Sequence, residues 1–214
     1  MRSPSRSLPR TAFAVLGVTG LLAVGACATE NESPDAEPVA TVATMEESTT
    51  GETLSVVLND AEGTEFGTVE ISEVNDALQI SADLSGLEPG FYGFHIHQTG
   101  LCEPDSAAPG APDDTGDFLS AGGHLGSDEA DHPDHAGDLP QLLVKESGDA
   151  VLTFETDRLT LSDLEDEDGS AIMIHSGPDN YANIPERYAS EGADEDSLNT
   201  GDAGSRLACG VVDA

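Results

Sequence analysis

From residue 53 onward, apolar residues recur at every second position rather than at the 3.6-residue period of a helix. The stretches "TLSVVLND", "GTVEISEV", "DALQISADL", "GFYGFHIH", "QLLVKE", "AVLTFETD", "AIMIHSG" and "RLACGVV" are short and rich in Val, Ile and Leu, and Gly, Asp, Asn and Pro punctuate them. Eight such runs predict an all-β domain, an antiparallel sandwich or barrel. No stretch carries a convincing amphipathic helical pattern, although "LSDLEDEDG" suits a single turn. Two connections are long, Gln98 to about Leu139 and Ser176 to about Ser205, and long loops in a compact domain tend to carry function.

The first fifty residues follow a different rule. "MRSPSRSLPR" holds three arginines and no acid, and the apolar run "TAFAVLGVTGLLAVGA" ends at Cys27. A charged start, a short apolar segment and a small-residue cleavage site read as a signal peptide. "VGAC" resembles the bacterial lipobox, which makes residues 1–26 a lipoprotein signal peptide and Cys27 the lipidated N-terminus of the mature chain. The alternative is an ordinary signal peptide cleaved near "ACA". Residues 27–50 are acidic, rich in Ser, Thr and Pro, and too poor in large apolar residues to bury a core, so they read as a flexible tether. The folded domain is then 51–214. The expected location is outside the cell, anchored to the outer face of the membrane through lipid on Cys27.

Charge narrows the partners. The chain has 42 acids against 7 Lys and Arg, a net charge of −35. Three of those cations lie in the acid-free signal segment, so the remainder carries only four and stands at −38. Such a surface excludes duplex nucleic acid and electrostatic docking to anionic lipid. It also fits a salty habitat, where self-repulsion is screened over a few ångströms. With Cys27 assigned to the lipobox, Cys102 and Cys209 remain, and two cysteines in an exported chain read as one disulfide rather than two buried thiols.

The chemistry lies in the histidines. In "H-I-H" the period of a strand sends His95 and His97 to one side and Ile96 to the other. His175 ends another strand. The first long loop reads "SAGGHLGSDEADHPDHAGDLP" and adds His124, His132, His135 and Asp138. Three histidines and a carboxylate make a tetrahedral zinc set, and four imidazoles suit copper. Seven donors for two metals require that one histidine serve both or that one site be incomplete.

"GFHIH", "SAGGH", "HAGDLP", "IHSG" and "GDAGSRLACGVV" together resemble the copper–zinc superoxide dismutases, in that family's order and across 51–214. "GPDNYANIPERY" looks most like the exported actinobacterial members. The resemblance implies an eight-stranded antiparallel Greek-key barrel with two long functional loops, and superoxide as substrate. It implies copper held by His95, His97, His124 and His175. Zinc would be held by His124, His132, His135 and Asp138, with His124 bridging the metals and carrying a proton. Cys102 and Cys209 match the family's disulfide, Arg206 the arginine that receives the anion, and Thr200 a residue that gates the channel.

Departures are visible too. His132 and His135 lie closer together than is usual, which reads either as a tighter zinc turn or as the remnant of a lost site. The carboxylate that links the two metal sites is expected in the acidic second connection, where "EGADEDSLNTGDAG" offers several candidates. Asn199 stands where many relatives carry a lysine, and Lys145, Arg158 and Arg187 are expected to be ordinary surface residues. The family includes dimers, so a homodimer stays open. The competing reading is a surface lipoprotein that binds copper without turnover, which has no need of Arg206.

Overall fold

The structure is a computed structural model that describes Gly51 and residues 53–213. The signal segment 1–26, Cys27 and the tether 27–50 lie outside the described residues. Eleven strands occur among the latter: β1 (Thr53–Asn59), β2 (Glu65–Val74), β3 (Ala77–Leu84), β4 (Gly90–Tyr92), β5 (Phe94–His97), β6 (Ser106–Ala108), β7 (Ala111–Gly116), β8 (Leu142–Val144), β9 (Ala150–Thr156), β10 (Ser170–His175) and β11 (Arg206–Val212). Two short α-helices, α1 (Leu161–Leu164) and α2 (Glu195–Thr200), and one 3-10 turn at Leu119–Ala121 lie between them.

The period-two pattern converts directly into burial. Leu54, Val56 and Leu58 of β1, Val69 and Ile71 of β2, and Leu78, Ile80, Ala82 and Leu84 of β3 are buried in one core, while their alternate neighbours face outward. The main antiparallel sheet runs β5-β10-β11-β1-β2-β3-β9, and β4 pairs separately with β8. A tight turn joins β8 to β9, with Lys145 N–H donating to Asp149 O, and β4 runs on into β5. The ring of strands therefore closes on itself, and the jumps from β3 to β9 and from β5 to β10 give the expected Greek-key barrel.

Three local features differ from the pattern reading. "GFYGFHIH" is broken at Gly93 into β4 and β5, which pair with different partners, β8 and β10. The reason is steric: a Cβ at Gly93 would lie 2.6 Å from Ala203 Cβ, so the backbone passes there only without a side chain. The first long connection contains the hairpin β6–β7, whose residues are mostly exposed and too polar to show an alternating signature. The second contains α2, six residues capped by the Asp194 side chain, which accepts from Ser197 N–H at 3.0 Å.

Cys102 and Cys209 form a disulfide with Cα atoms 5.6 Å apart. It ties the first long connection to β11 across a separation of 107 residues. Closing a loop of this size stabilises the fold by about 4–5 kcal/mol in the chain-entropy model. Around it, Phe118, Ala121, Ala171, Met173 and Cys209 make a small second core.

Candidate metal centre

The free edge of β5 builds the site. Ile96 N–H donates to Gly137 O, Leu125 N–H to Ile96 O and Gln98 N–H to Gly123 O, so the first long connection lies along β5 like an added strand. That pairing sets His124 beside His97 and Asp138 beside His95. Ile96 points into the main core, and His175 arrives from the end of β10, the strand on the other side of β5. All six histidines of the chain are buried, within 3% of complete exclusion from solvent.

The outward ring nitrogens are all committed. His97 Nδ1 lies 2.9 Å from Gly122 O and His175 Nδ1 3.2 Å from Gly204 O. A carbonyl only accepts, so both rings carry their proton at Nδ1 and present a bare Nε2 inward. His95 Nε2–H and His132 Nε2–H donate to the two oxygens of one carboxylate, Asp179, each at 2.8 Å. The inward atoms, by contrast, lack ordinary partners. His97 Nε2 and His175 Nε2 face each other at 3.3 Å, and His95 Nδ1 and His124 Nε2 are buried without any hydrogen bond. Donor atoms of these four rings lie within 4.8 Å of one another. Four lone pairs aimed at one point suit a cation that favours imidazole.

A second convergence lies on the far side of His124. His124 Nδ1 is 2.7 Å from Asp138 Oδ1, His132 Nδ1 3.0 Å and His135 Nδ1 3.2 Å from Asp138 Oδ2, and His135 Nδ1 is 3.4 Å from His124 Nδ1. Zinc bonds of 2.0–2.1 Å to imidazole give a tetrahedron with edges of about 3.3 Å. The shortened "HPDH" turn therefore sets both of its rings against Asp138, with His135 also against His124; His95, His124, His132 and Asp138 have donor atoms all within 4.8 Å of one another. His124 is shared between the two groups, one nitrogen to each.

The charges follow from this packing. Burial, aided by neighbouring imidazoles and Arg206, holds His97 well below the usual histidine range, and His175 likewise. Burial brings His124 down to about 4, against the pull of Asp138. Burial also opposes the charge on His132, but its bonds to Asp138 and Asp179 prevail and raise it to about 9. Both carboxylates are held far below their ordinary range: burial works against this, and their histidine partners outweigh it.

Arg206 reaches the same place from β11. Its two terminal nitrogens donate to Phe118 O and Gly122 O. Burial lowers its pKa to about 10, which leaves it charged at neutral pH. Phe118 adopts the left-handed conformation at φ 61°, turning its carbonyl toward the guanidinium. An open cavity of about 600 Å³ has His97, His124, His175, Asn199, Thr200 and Arg206 in its lining. Asp117 and Asp128 also line it.

The linking carboxylate does lie in the second long connection, but upstream of the candidates in 191–204: Asp179 joins His95 to His132. A signal for it existed, since Asp179 is the only charged residue between Asp168 and Glu186 in a chain holding 42 acids. Arg158, expected at the surface with no role, has its guanidinium bonded to the "HPDH" turn. Arg187 lies over the Tyr188 ring at 4.7 Å, as suits a surface residue.

The sequence profile of the copper/zinc superoxide dismutase (SODC) family matches residues 65–212. The Cu-Zn superoxide dismutase of Mycobacterium tuberculosis is 44% identical over 177 residues, covering 78% of this chain and 72% of that protein. The Escherichia coli K12 Cu-Zn superoxide dismutase is 34% identical over 169 residues, covering 74% and 85%. Among solved structures, the Brucella abortus Cu/Zn superoxide dismutase superposes with a TM-score of 0.58 at 32% identity, covering 76% of this chain and all of that one.

Proposed function

The chain belongs to the copper/zinc superoxide dismutase family and dismutates superoxide to dioxygen and hydrogen peroxide; on that premise we propose which of its residues do the work. His95, His97, His124 and His175 hold copper, and His124, His132, His135 and Asp138 hold zinc. Bound there, copper supplies the one-electron chemistry, oxidising one superoxide and reducing the next, while zinc supplies a fixed charge without redox change.

The protein's own groups supply the rest. Arg206, in the cavity wall beside His97, receives the anion and holds it against the field of an otherwise acidic molecule. His124 keeps Nδ1 engaged toward the zinc side; its Nε2 lone pair can hold either copper or a proton, so it would carry a solvent proton to the peroxide product only while released from copper. The second proton comes from solvent, which the open cavity admits. Thr200 also lines this cavity, its hydroxyl donating to Asp196 O at 2.7 Å, and is placed to gate the approach.

One observation carries the metal assignment: every outward nitrogen of the copper rings is anchored to oxygen or committed to the second metal, and every inward nitrogen is left bare. Metal content per chain tests it, with one copper and one zinc expected and no stoichiometric copper refuting it. Replacing Arg206 with Ala separates enzyme from carrier: copper stays bound while dismutation falls several-fold or more. Unchanged turnover would favour a copper-binding role alone.

The start of the chain supports export and anchoring through lipid on Cys27, which would set the enzyme against superoxide arriving from outside the cell envelope. Release of a Cys27→Ser protein from the membrane fraction is expected, and retention would count against the anchor. For self-association we propose a homodimer. Phe91 and Leu143, paired across β4 and β8 and both about half exposed, support it. A monomer at micromolar concentration in sedimentation would remove it.

A further inference from the structure

Only Pro133 and Asp134 separate His132 from His135, so a single turn must aim two rings at one point. One side chain from outside the turn meets both Pro133 O and His135 O. Arg158, two residues beyond the end of β9, donates from Nη1 to Pro133 O at 2.9 Å and to His135 O at 3.4 Å. Its Nη2 lies 3.6 Å from Asp134 Oδ1, so one guanidinium touches every residue from 133 to 135. His135 O also accepts from Asp138 N–H at 3.2 Å, and Asp138 Oδ2 accepts from His135 N–H at 3.0 Å. Arg158 is thus one bond away from two of the four zinc donors.

We propose that Arg158 is a positioning residue for zinc, a staple from the end of β9 that holds the short His132–His135 turn in its metal-binding shape. It rests on the assignment of zinc to His124, His132, His135 and Asp138. The part that matters is the pair of carbonyl bonds. The contact with Asp134 is an exposed ion pair, and Arg158 itself is 44% exposed, so that contact contributes little. Lysine can replace the function only in part: both carbonyl bonds come from Nη1, whose two N–H groups are fixed in the guanidinium plane, whereas an ammonium offers freely rotating donors on a differently shaped stem. In a chain with four basic residues outside the signal segment, Arg206 serves the copper side and Arg158 the zinc side.

The test uses zinc competition against a chelator on the full chain, together with the visible spectrum of the protein carrying cobalt in place of zinc. Arg158→Ala should bind zinc roughly 10- to 100-fold more weakly, the range expected for losing a partner that orients ligands. Its cobalt spectrum should shift as the tetrahedron distorts. Arg158→Lys should fall between, and Asp134→Ala should change affinity by less than about threefold. Unchanged zinc affinity and cobalt spectrum in Arg158→Ala would overturn the proposal, as would equal losses of Tm in the metal-free and zinc-loaded forms. If Arg158→Ala does not fold, Arg158→Lys carries the same comparison. An unaltered protein that binds no zinc would sink the zinc assignment as well; one that binds zinc regardless of Arg158 sinks only the staple.

Discussion

Removing the Asp179 carboxylate should release zinc before copper. Its oxygens accept from His95 Nε2–H, His132 Nε2–H and Tyr181 N–H at 2.8, 2.8 and 2.7 Å, with the side chain closed to solvent. Asp179→Ala strips the outward acceptor from one ring of each metal set and leaves two buried imidazole N–H groups and the Tyr181 N–H without their partner. Each bond to a charged acceptor is worth about 1.5–3 kcal/mol, which matches a loss of roughly 10- to 100-fold in metal affinity. The two rings are not equally exposed to that loss. His95 sits on β5, locked by backbone pairing with β10, whereas His132 sits on a loop held by its N–H to Leu198 O and by Tyr181 stacked at 6.3 Å. Copper also binds imidazole more tightly than zinc does. Dialysis of the loaded variant against graded chelator, with both metals counted per chain, should show zinc leaving at a chelator concentration that spares it in the unaltered protein. Zinc retention equal to the parent's would refute the reasoning, and copper leaving first would refute the ordering.

Other outcomes can be checked with the same preparations. Because Asp117 and Asp128 line the cavity and the chain is strongly acidic, the dismutation rate should be flat or rise with added salt; a steep fall would contradict this. Without metals, His97, His124 and His175 are neutral when folded and protonate on unfolding, so they cost stability as pH falls below 6.5. His132 acts oppositely: its contribution is full below 6.5 and is lost as pH rises through about 9. The Tm of the metal-free protein should therefore peak near 6.5, and a monotonic profile from about 5.5 to 9 would refute the pairing. Gly93→Ala must fit a methyl group 2.6 Å from Ala203 Cβ and should cost about 1–3 kcal/mol by denaturant titration. An unchanged midpoint would mean that the Ala203 segment yields freely.

The barrel was legible because alternation is a local property: each residue of β1 or β3 declares its own face, and eight such segments leave few architectures. The histidines were legible because six of them fall at motif spacings, and H-x-H needs only strand geometry. The roles of Asp179, marked only by its isolation between Asp168 and Glu186, and of Arg158 were not, for a shared reason. Each acts on residues more than twenty positions away, and each belongs to a type the chain uses elsewhere on its surface. The β6–β7 hairpin left no pattern because it buries almost nothing. Gly93 shows the opposite case: it looks like an ordinary residue of one strand, and only the approach of Ala203 reveals why the strand changes partner there.

Gly122 O receives both the Nδ1–H of His97 and the guanidinium of Arg206. One oxygen atom thus serves the group that greets the substrate and a ring that faces the electron carrier. The two halves of the machine share a hinge pin. A change at Arg206 to admit a different anion would leave that carbonyl to His97 alone, a stronger acceptor for Nδ1–H and hence a more electron-rich ring. Anion recognition and the basicity of His97 are coupled through one oxygen atom.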